Sequence, residues 1–181
     1  MFSRRRILAS LEPTVMTIET TSTSSTWSPS NVNNLGTTLI WEVTGGVTIP
    51  PQTINDPTFD LSSNTGTAII TIKNIYNVIS FWVIALDLIS ADITESKNIN
   101  LLDLRFNNID TLDLSKNTKL TNVKLYGNNI SNINISNSPD IFFLGVKDNN
   151  LTTLDVSNNP LIISISAQGN PLTSTSIDNI L

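Results

Sequence analysis

An internal repeat is the feature that most constrains what this chain can fold into. Residues 99–161 divide into three units of 21 residues: INLLDLRFNNIDTLDLSKNTK from Ile99, LTNVKLYGNNISNINISNSPD from Leu120 and IFFLGVKDNNLTTLDVSNNPL from Ile141. A partial unit, IISISAQGNPLTSTS, follows from Ile162, and a degenerate one, VISFWVIALDLISADITESKN, precedes them from Val78. Within each unit the apolar residues alternate twice. Leu102 and Leu104, Val123 and Leu125, and Leu144 and Val146 mark a first segment; Leu112 and Leu114, Ile133 and Ile135, and Leu154 and Val156 mark a second. Period two means an extended segment with one buried face. One such coil cannot bury its own apolar side, so stability comes from stacking neighbours. The alternation predicts two parallel sheets around a dry core, with coils ~4.8 Å apart.

Three polar columns share the same spacing. Asn107, Asn128, Asn149 and Asn170 form the first, and Ser115, Ser136 and Ser157, with Thr94, form the second. Asn117 and Asn159, with Ser96 and Ser138 in the same place, form the third. Buried amides persist only when hydrogen-bonded. We therefore read all three columns as turn stabilisers, the Asn column serving its own coil and the next.

The pattern LxxLxLxxNxLxxLDLSxNxx resembles that of leucine-rich-repeat proteins, in particular the short nested 21-residue class of bacterial surface and phage proteins. The resemblance runs from Val78 onward. It implies a right-handed solenoid that binds through exposed columns of its sheets. In the degenerate unit Leu86 stands in the Asn column and Ala91 in a Leu column, as expected where a solenoid is capped or joined to another module. After the last unit, Ile177, Ile180 and Leu181 are spaced as one face of a short capping helix, with Thr173 or Ser174 as N-cap.

The first half lacks the repeat. Strands are expected at Val15 to Glu19, Thr38 to Val43, Phe59 to Leu61 and Ala68 to Ile72, separated by Ser/Thr/Asn/Pro/Gly clusters. This suits a small β-sandwich, and TLIWEVTGG and PTFDLSSNTGTAIITI resemble immunoglobulin-like or PKD-like modules. Phe59 to Asn64 also mimics an LDLSxN half-repeat, which we read as coincidence rather than an extra coil. The expected architecture is mainly β: a basic arm at residues 1–13, the sandwich at 14–76, and the solenoid with its helical cap at 77–181.

Composition narrows the chemistry. The chain has no Cys and no His, which removes disulfides, thiolate metal sites, a cysteine nucleophile and a Ser-His-Asp triad. No Gly-rich phosphate loop is present, since Gly45-Gly46 lacks the following Lys. No enzyme activity, cofactor or metal is expected. Asp92, Asp113, Asn134 and Asp155 form an outward column that we read as a solvated stripe. Arg4, Arg5 and Arg6 are three of the 10 basic residues; residues 7–181 carry 7 basic against 15 acidic groups, a net −8. An acidic body argues against nucleic-acid binding, and the arm reads as a docking segment. The stretch Ile7 to Met16 contains Ser10, Glu12, Pro13 and Thr14, so it does not make a secretory apolar core. Phe81 to Ile89, the most apolar stretch, is far shorter than the ~20 residues of a membrane span.

Outward positions of the first segment run Trp82, Asp103, Lys124, Gly145 in one column. The next holds Ile84, Arg105, Tyr126, Lys147 and Gln168, and a third holds Ser80, Leu101, Asn122, Phe143 and Ser164. Aromatic and Arg residues are typical interface anchors. The candidate face is Leu101, Arg105, Phe106, Tyr126, Phe143 and Lys147, with packing against another domain or subunit as the competing role. These features point to a non-enzymatic structural or binding protein. A bacterial surface protein of this class needs an export signal, whereas a virion component needs none. The expectation is therefore an oligomeric phage fibre or decoration protein that contacts other virion proteins and a host-surface glycan or protein. The alternative is a bacterial cell-surface or secreted adhesin.

Overall fold

The computed structural model describes residues 14–54 and 57–173. Its strands are β1 (Val15–Thr20), β2 (Asn31–Asn33), β3 (Ile40–Gly45), β4 (Ile49–Gln52), β5 (Ala68–Lys73), β6 (Ser80–Trp82), β7 (Leu88–Asp92), β8 (Leu101–Asp103), β9 (Asn122–Lys124), β10 (Phe143–Gly145) and β11 (Ser164–Ser166). A 3-10 turn at Ile75–Asn77 links the halves.

The first segments of the repeats stack as predicted. Strands β6, β8, β9, β10 and β11 pair in parallel with the repeat as register, so Leu102 faces Val123 and Val123 faces Leu144. Leu102, Leu104, Val123, Leu125, Leu144 and Val146 are all buried. Burying one such side chain contributes ~1.5–3 kcal/mol.

The second segments differ from expectation. Leu112, Leu114, Ile133, Ile135, Leu154 and Val156 are buried as predicted. Yet among the described residues no strand forms there, and the only strand on that side of the coils is β7, which pairs antiparallel with β1. The solenoid thus has one parallel sheet, not two. Alternation reports which side of a segment is buried. A ladder also needs neighbouring backbones ~4.8 Å apart along their length. Here adjacent coils are joined on that side at isolated points, such as Asn108 N–H to Leu88 C=O at 2.7 Å and Asn129 N–H to Ile109 C=O at 2.8 Å.

The first half builds onto this frame. One five-stranded sheet runs β4-β3-β5-β1-β7, and a six-stranded sheet runs β11-β10-β9-β8-β6-β2. In place of a self-contained sandwich, four strands of residues 14–73 form a sheet with β7 of the first coil, and β2 adds to the edge of the parallel sheet. The apolar side chains from Met16 to Val156 form one continuous core. Trp27, Trp41 and Phe59 cover the end of the first coil, with ring centroids 6.0 and 6.2 Å from Phe59. Each indole N–H is satisfied, Trp27 on Leu86 C=O at 3.3 Å and Trp41 on Ile54 C=O at 2.8 Å, as buried donors require. The proposed C-terminal helix lies outside the described residues, apart from Thr173.

The asparagine column is the main polar device, and it reaches back rather than forward. Asn149 Oδ1 accepts the N–H of Ile130 in the preceding coil at 3.0 Å. Its amide donates to Leu125 C=O of that coil at 2.9 Å and to Val146 and Lys147 C=O of its own at 3.1 and 3.2 Å. Asn128 and Asn170 repeat the arrangement. Asn107 does the same at the first coil, where it holds the N–H groups of both Leu86 and Leu88 at 3.1 Å. The Asn/Ser column is simpler. Asn117 and Asn159 donate to Ile93 and Ser96, and to Ile135 and Ser138, of the preceding coil, while their Oδ1 atoms have no hydrogen-bond partner. Ser replaces Asn here because less is asked of the side chain: Ser138 makes one bond, to Asn117 C=O at 3.0 Å.

The Asp/Asn stripe is also structural. Asp113, Asn134 and Asp155 each accept the N–H of the Ser two residues on, at 2.8, 3.1 and 2.9 Å. Amide and carboxylate oxygens serve equally, which explains the Asn in the second unit. Asp60 makes the same turn with Ser62 at 2.9 Å, and Asn64 N–H closes on Leu61 C=O at 2.9 Å, as Asn117 does on Leu114 at 3.0 Å. The FDLSSN stretch is therefore the repeat's own turn. It sits in an antiparallel setting, bridged to Trp27, rather than in a stacked coil.

Two outcomes are expected. Asn149→Ala leaves buried backbone groups of two coils unpaired, and urea unfolding should show a loss of about 3 kcal/mol. Bonds from Ser115 and Ser62, first of all from their side chains, and from the Ser157 N–H hold the Asp113, Asp60 and Asp155 carboxyls below the usual range. A carboxyl depressed in the folded state stabilises above its unfolded pKa, ~3.9, and loses that contribution as pH falls through the lower folded value. Replacing all three by Asn should flatten the fall of thermal midpoint below about pH 4; an unchanged profile would assign the acid sensitivity elsewhere.

Candidate binding face

The parallel sheet presents its outward side chains in rows set by the register. Leu101, Asn122, Phe143 and Ser164 stand side by side in one row, and Trp82, Asp103, Lys124 and Gly145 in the next. Leu101, Tyr126 and Phe143 are half-buried, Lys147 is exposed, and Phe106 is 58% exposed. Nearby Phe142 is 41% exposed. The six candidate residues therefore all lie on or beside one sheet face, on three consecutive coils. Arg4, Arg5 and Arg6 lie outside the described residues.

Asp103 keeps its outward place in the register but not its expected exposure. It is buried, and its Oδ1 accepts the Arg105 guanidinium Nε–H at 2.8 Å and the Arg105 backbone N–H at 3.3 Å. This bond raises the Arg105 pKa further, against its partial desolvation. The pair fixes the guanidinium across the strand instead of leaving it free in solvent. Lys124 places its ammonium 5.9 Å from the Phe143 ring centroid, and Lys147 lies 3.5 Å from Asp148. A small pocket of about 50 Å³ opens between Trp82, Leu101, Asp103, Asn122 and Lys124.

Two glycines make room for aromatic rings. A Cβ on Gly145 would stand 2.2–2.4 Å from Cε1, Cζ and the hydroxyl of Tyr126, so the phenol lies across a strand that has no side chain there. A Cβ on Gly127 would stand 2.8 Å from Cδ1 of Phe106. Phe106 itself belongs to a column that sequence reading missed. Ala85, Phe106, Gly127, Asp148 and Gly169 all have positive φ, at 56°, 58°, 64°, 53° and 72°. The chain reverses there, immediately before each ladder position. Gly and Asp adopt this conformation readily, whereas a bulky aromatic is strained in it. A Gly at two of five equivalent positions was the available signal.

No family model matches this chain, and no curated protein is similar to it. Among solved structures it is similar to the functional domain of InlJ from Listeria monocytogenes, which includes a cysteine ladder, with 31% identity over 57% of this chain and a TM-score of 0.53. The repeat region is a leucine-rich-repeat solenoid. This chain spans 24% of the InlJ structure and has no cysteine. An internalin, InlF, of the same organism is 23% identical over 49% of this chain and 27% of its own, with a TM-score of 0.47. A leucine-rich-repeat protein of Leptospira interrogans is 17% identical over 59% and 35%, with a TM-score of 0.44. No helix among the described residues is long and apolar enough to cross a membrane.

Strain at Phe106 has a measurable consequence. Phe106→Gly removes a left-handed aromatic that is mostly solvent-exposed, so it should stabilise the fold by about 1 kcal/mol in urea unfolding. Loss of stability would instead show that the ring's contact with Gly127 outweighs the strain.

Proposed function

We propose that this protein is a non-enzymatic binding protein that engages its partner through the parallel-sheet face of Leu101, Arg105, Phe106, Tyr126, Phe143 and Lys147. The observation that carries this reading is the gathering of half-buried and exposed aromatic rings with basic side chains on three adjoining coils, where Lys124 lies 5.9 Å from the Phe143 ring, Arg105 is held by Asp103, and Phe106 stands exposed in a strained conformation. Strain of this kind persists where the surroundings enforce it, and it concentrates at functional sites. Exposed aromatics beside Arg are the usual anchors of protein interfaces.

The proposed setting is the outside of a particle or cell. An acidic body with a basic arm at Arg4, Arg5 and Arg6 supports a phage fibre or decoration protein, attached by the arm to other virion proteins and working as an oligomer. One observation favours the second setting, a bacterial cell-surface or secreted adhesin: the 31% identity to InlJ, a protein of a bacterium. In either setting the partner is a surface protein or glycan.

Tyr126→Ala should weaken binding to the target surface about tenfold or more, the loss typical of an interface anchor, with the melting temperature little changed. Undiminished binding by a folded variant would assign this face to packing. Immunogold labelling of purified particles separates the settings, since absence from virions ends the phage reading and leaves the binding face untouched.

A further inference from the structure

The two ends of the solenoid differ. The first half of the chain closes one end, where β2 pairs with β6 and the rings of Trp27, Trp41 and Phe59 fill the cross-section. At the other end β11 is the edge strand of the six-stranded sheet. Its coil is open: Ile162, Ile165 and Leu172 are half-buried, whereas the residues one coil earlier, Ile141, Leu144 and Leu151, are fully buried. Three of the seven large apolar side chains exposed among the described residues gather there: Leu161, Ile163, which is 85% exposed, and Phe142, whose C=O takes the Ile163 N–H at 3.0 Å. The backbone is open as well. Leu125 and Val146 each donate an N–H to the following coil, at 2.7 and 2.8 Å, and Thr121 and Phe142 each accept one from it. The matching groups of the last coil, Ala167 N–H and Ile163 C=O, have no coil ahead of them among the described residues. An edge of this kind invites pairing unless charge or proline blunts it. β4, an edge of the other sheet, carries Pro50 and Pro51. β11 carries neither device, and no charged residue stands between Asp155 and Asp178.

We propose that β11 pairs antiparallel with β11 of a second copy of this chain, joining the two six-stranded sheets edge to edge about a two-fold axis. The uncharged edge selects this occupant. In a two-fold contact each patch meets itself, so a charge near the axis repels its own copy, and a neutral patch escapes that penalty. A strongly basic or acidic partner finds nothing here to pair with. The register fits too. With Ile165 on the axis, Ile163 C=O of one copy faces Ala167 N–H of the other, and these are the groups left open. Hydrogen-bonded antiparallel neighbours stand ~5.5 Å apart, so the two half-buried Ile165 side chains meet and the open core of one copy continues into the other. The axis is perpendicular to the sheet, so both copies present Arg105, Tyr126 and Phe143 on the same side of one continuous sheet. The pairing does not depend on the binding-face reading. Its consequence, a bivalent face with greater avidity than either copy alone, rests on that reading.

The test is analytical ultracentrifugation of the full chain over a range of concentrations, and a monomer–dimer equilibrium is the expected result. Ile163→Asp changes a side chain already in solvent, and Ser164→Lys combined with Ser166→Lys sets like charges opposite one another across the axis. Each of these edge variants should raise the dimer Kd about tenfold or more. Leu35→Asp, at an exposed leucine just past β2 on the opposite edge of the same sheet, should leave Kd unchanged, and so should Tyr126→Ala. Ile165→Cys supplies the only thiol in the chain and should oxidise to a covalent dimer, since ~5.5 Å lies within disulfide reach, whereas Leu35→Cys should not. Near-ultraviolet circular dichroism confirms that the variants are folded. A chain that stays monomeric at every concentration overturns the proposal and assigns the open end to the residues that follow Thr173. A dimer that survives both edge variants, or that Leu35→Asp disrupts equally, uses another surface and overturns it too. A monomer that still binds its target leaves the binding face standing without the pairing; a dimer whose Tyr126→Ala variant binds undiminished leaves the pairing standing without the face.

Discussion

The structure depends on a buried ladder of asparagine side chains. Each coil turns a corner just after its strand, and the turn leaves backbone N–H and C=O groups pointing inward at a depth water does not reach. Asn107, Asn128, Asn149 and Asn170 satisfy these groups from both sides of the gap between coils. A short side chain with one acceptor and two donors is what the geometry asks for. Without it the apolar faces would still favour stacking, but each corner would strand unpaired polar groups, and the penalty for those exceeds the net gain from an ordinary hydrogen bond.

The ladder also shapes the exposed surface. The residue before each ladder position takes a positive φ, in the first coil as well, where Leu86 stands in place of the Asn, and where this residue is Phe106 its ring stands exposed. Where that residue is Gly127, the neighbouring Phe106 leans on it; where a strand carries Gly145, Tyr126 crosses it. Inward and outward roles are thus written in alternate positions of the same segment. Leu and Val point inward to hold the coil, and Arg105, Lys124, Tyr126 and Phe143 point outward.

The first half of the chain solves the end problem of a solenoid. A terminal coil exposes an apolar cross-section and two unpaired strand edges. Here β1 pairs with β7 and β2 with β6, while Trp27, Trp41 and Phe59 fill the cross-section. The degenerate first coil fits this role. Leu86, which replaces the ladder Asn, packs against the core while its carbonyl takes hydrogen bonds from Thr20 and Trp27 of the covering module. A polar ladder residue has no preceding coil to serve at that place.

Much of this was legible in the residues alone. The repeat and its alternation determined the coil length, the inward positions, the parallel register and the presence of polar turn columns, because burial and turn chemistry act through local spacing. The candidate face followed from the same register. Only the tertiary structure decided the rest. It showed that the second segments are buried without forming a sheet, since coil spacing on that side is a property of stacked backbones and not of any one segment. It buried the outward Asp103 carboxylate against the Arg105 guanidinium at 2.8 Å, a pairing that residue spacing alone does not show. It joined the two halves through one core, since strand pairing between β1 and β7 or β2 and β6 links residues far apart in sequence that no local pattern connects. It also revealed the glycine seats, where the informative fact is the absence of a side chain beneath a ring from another coil.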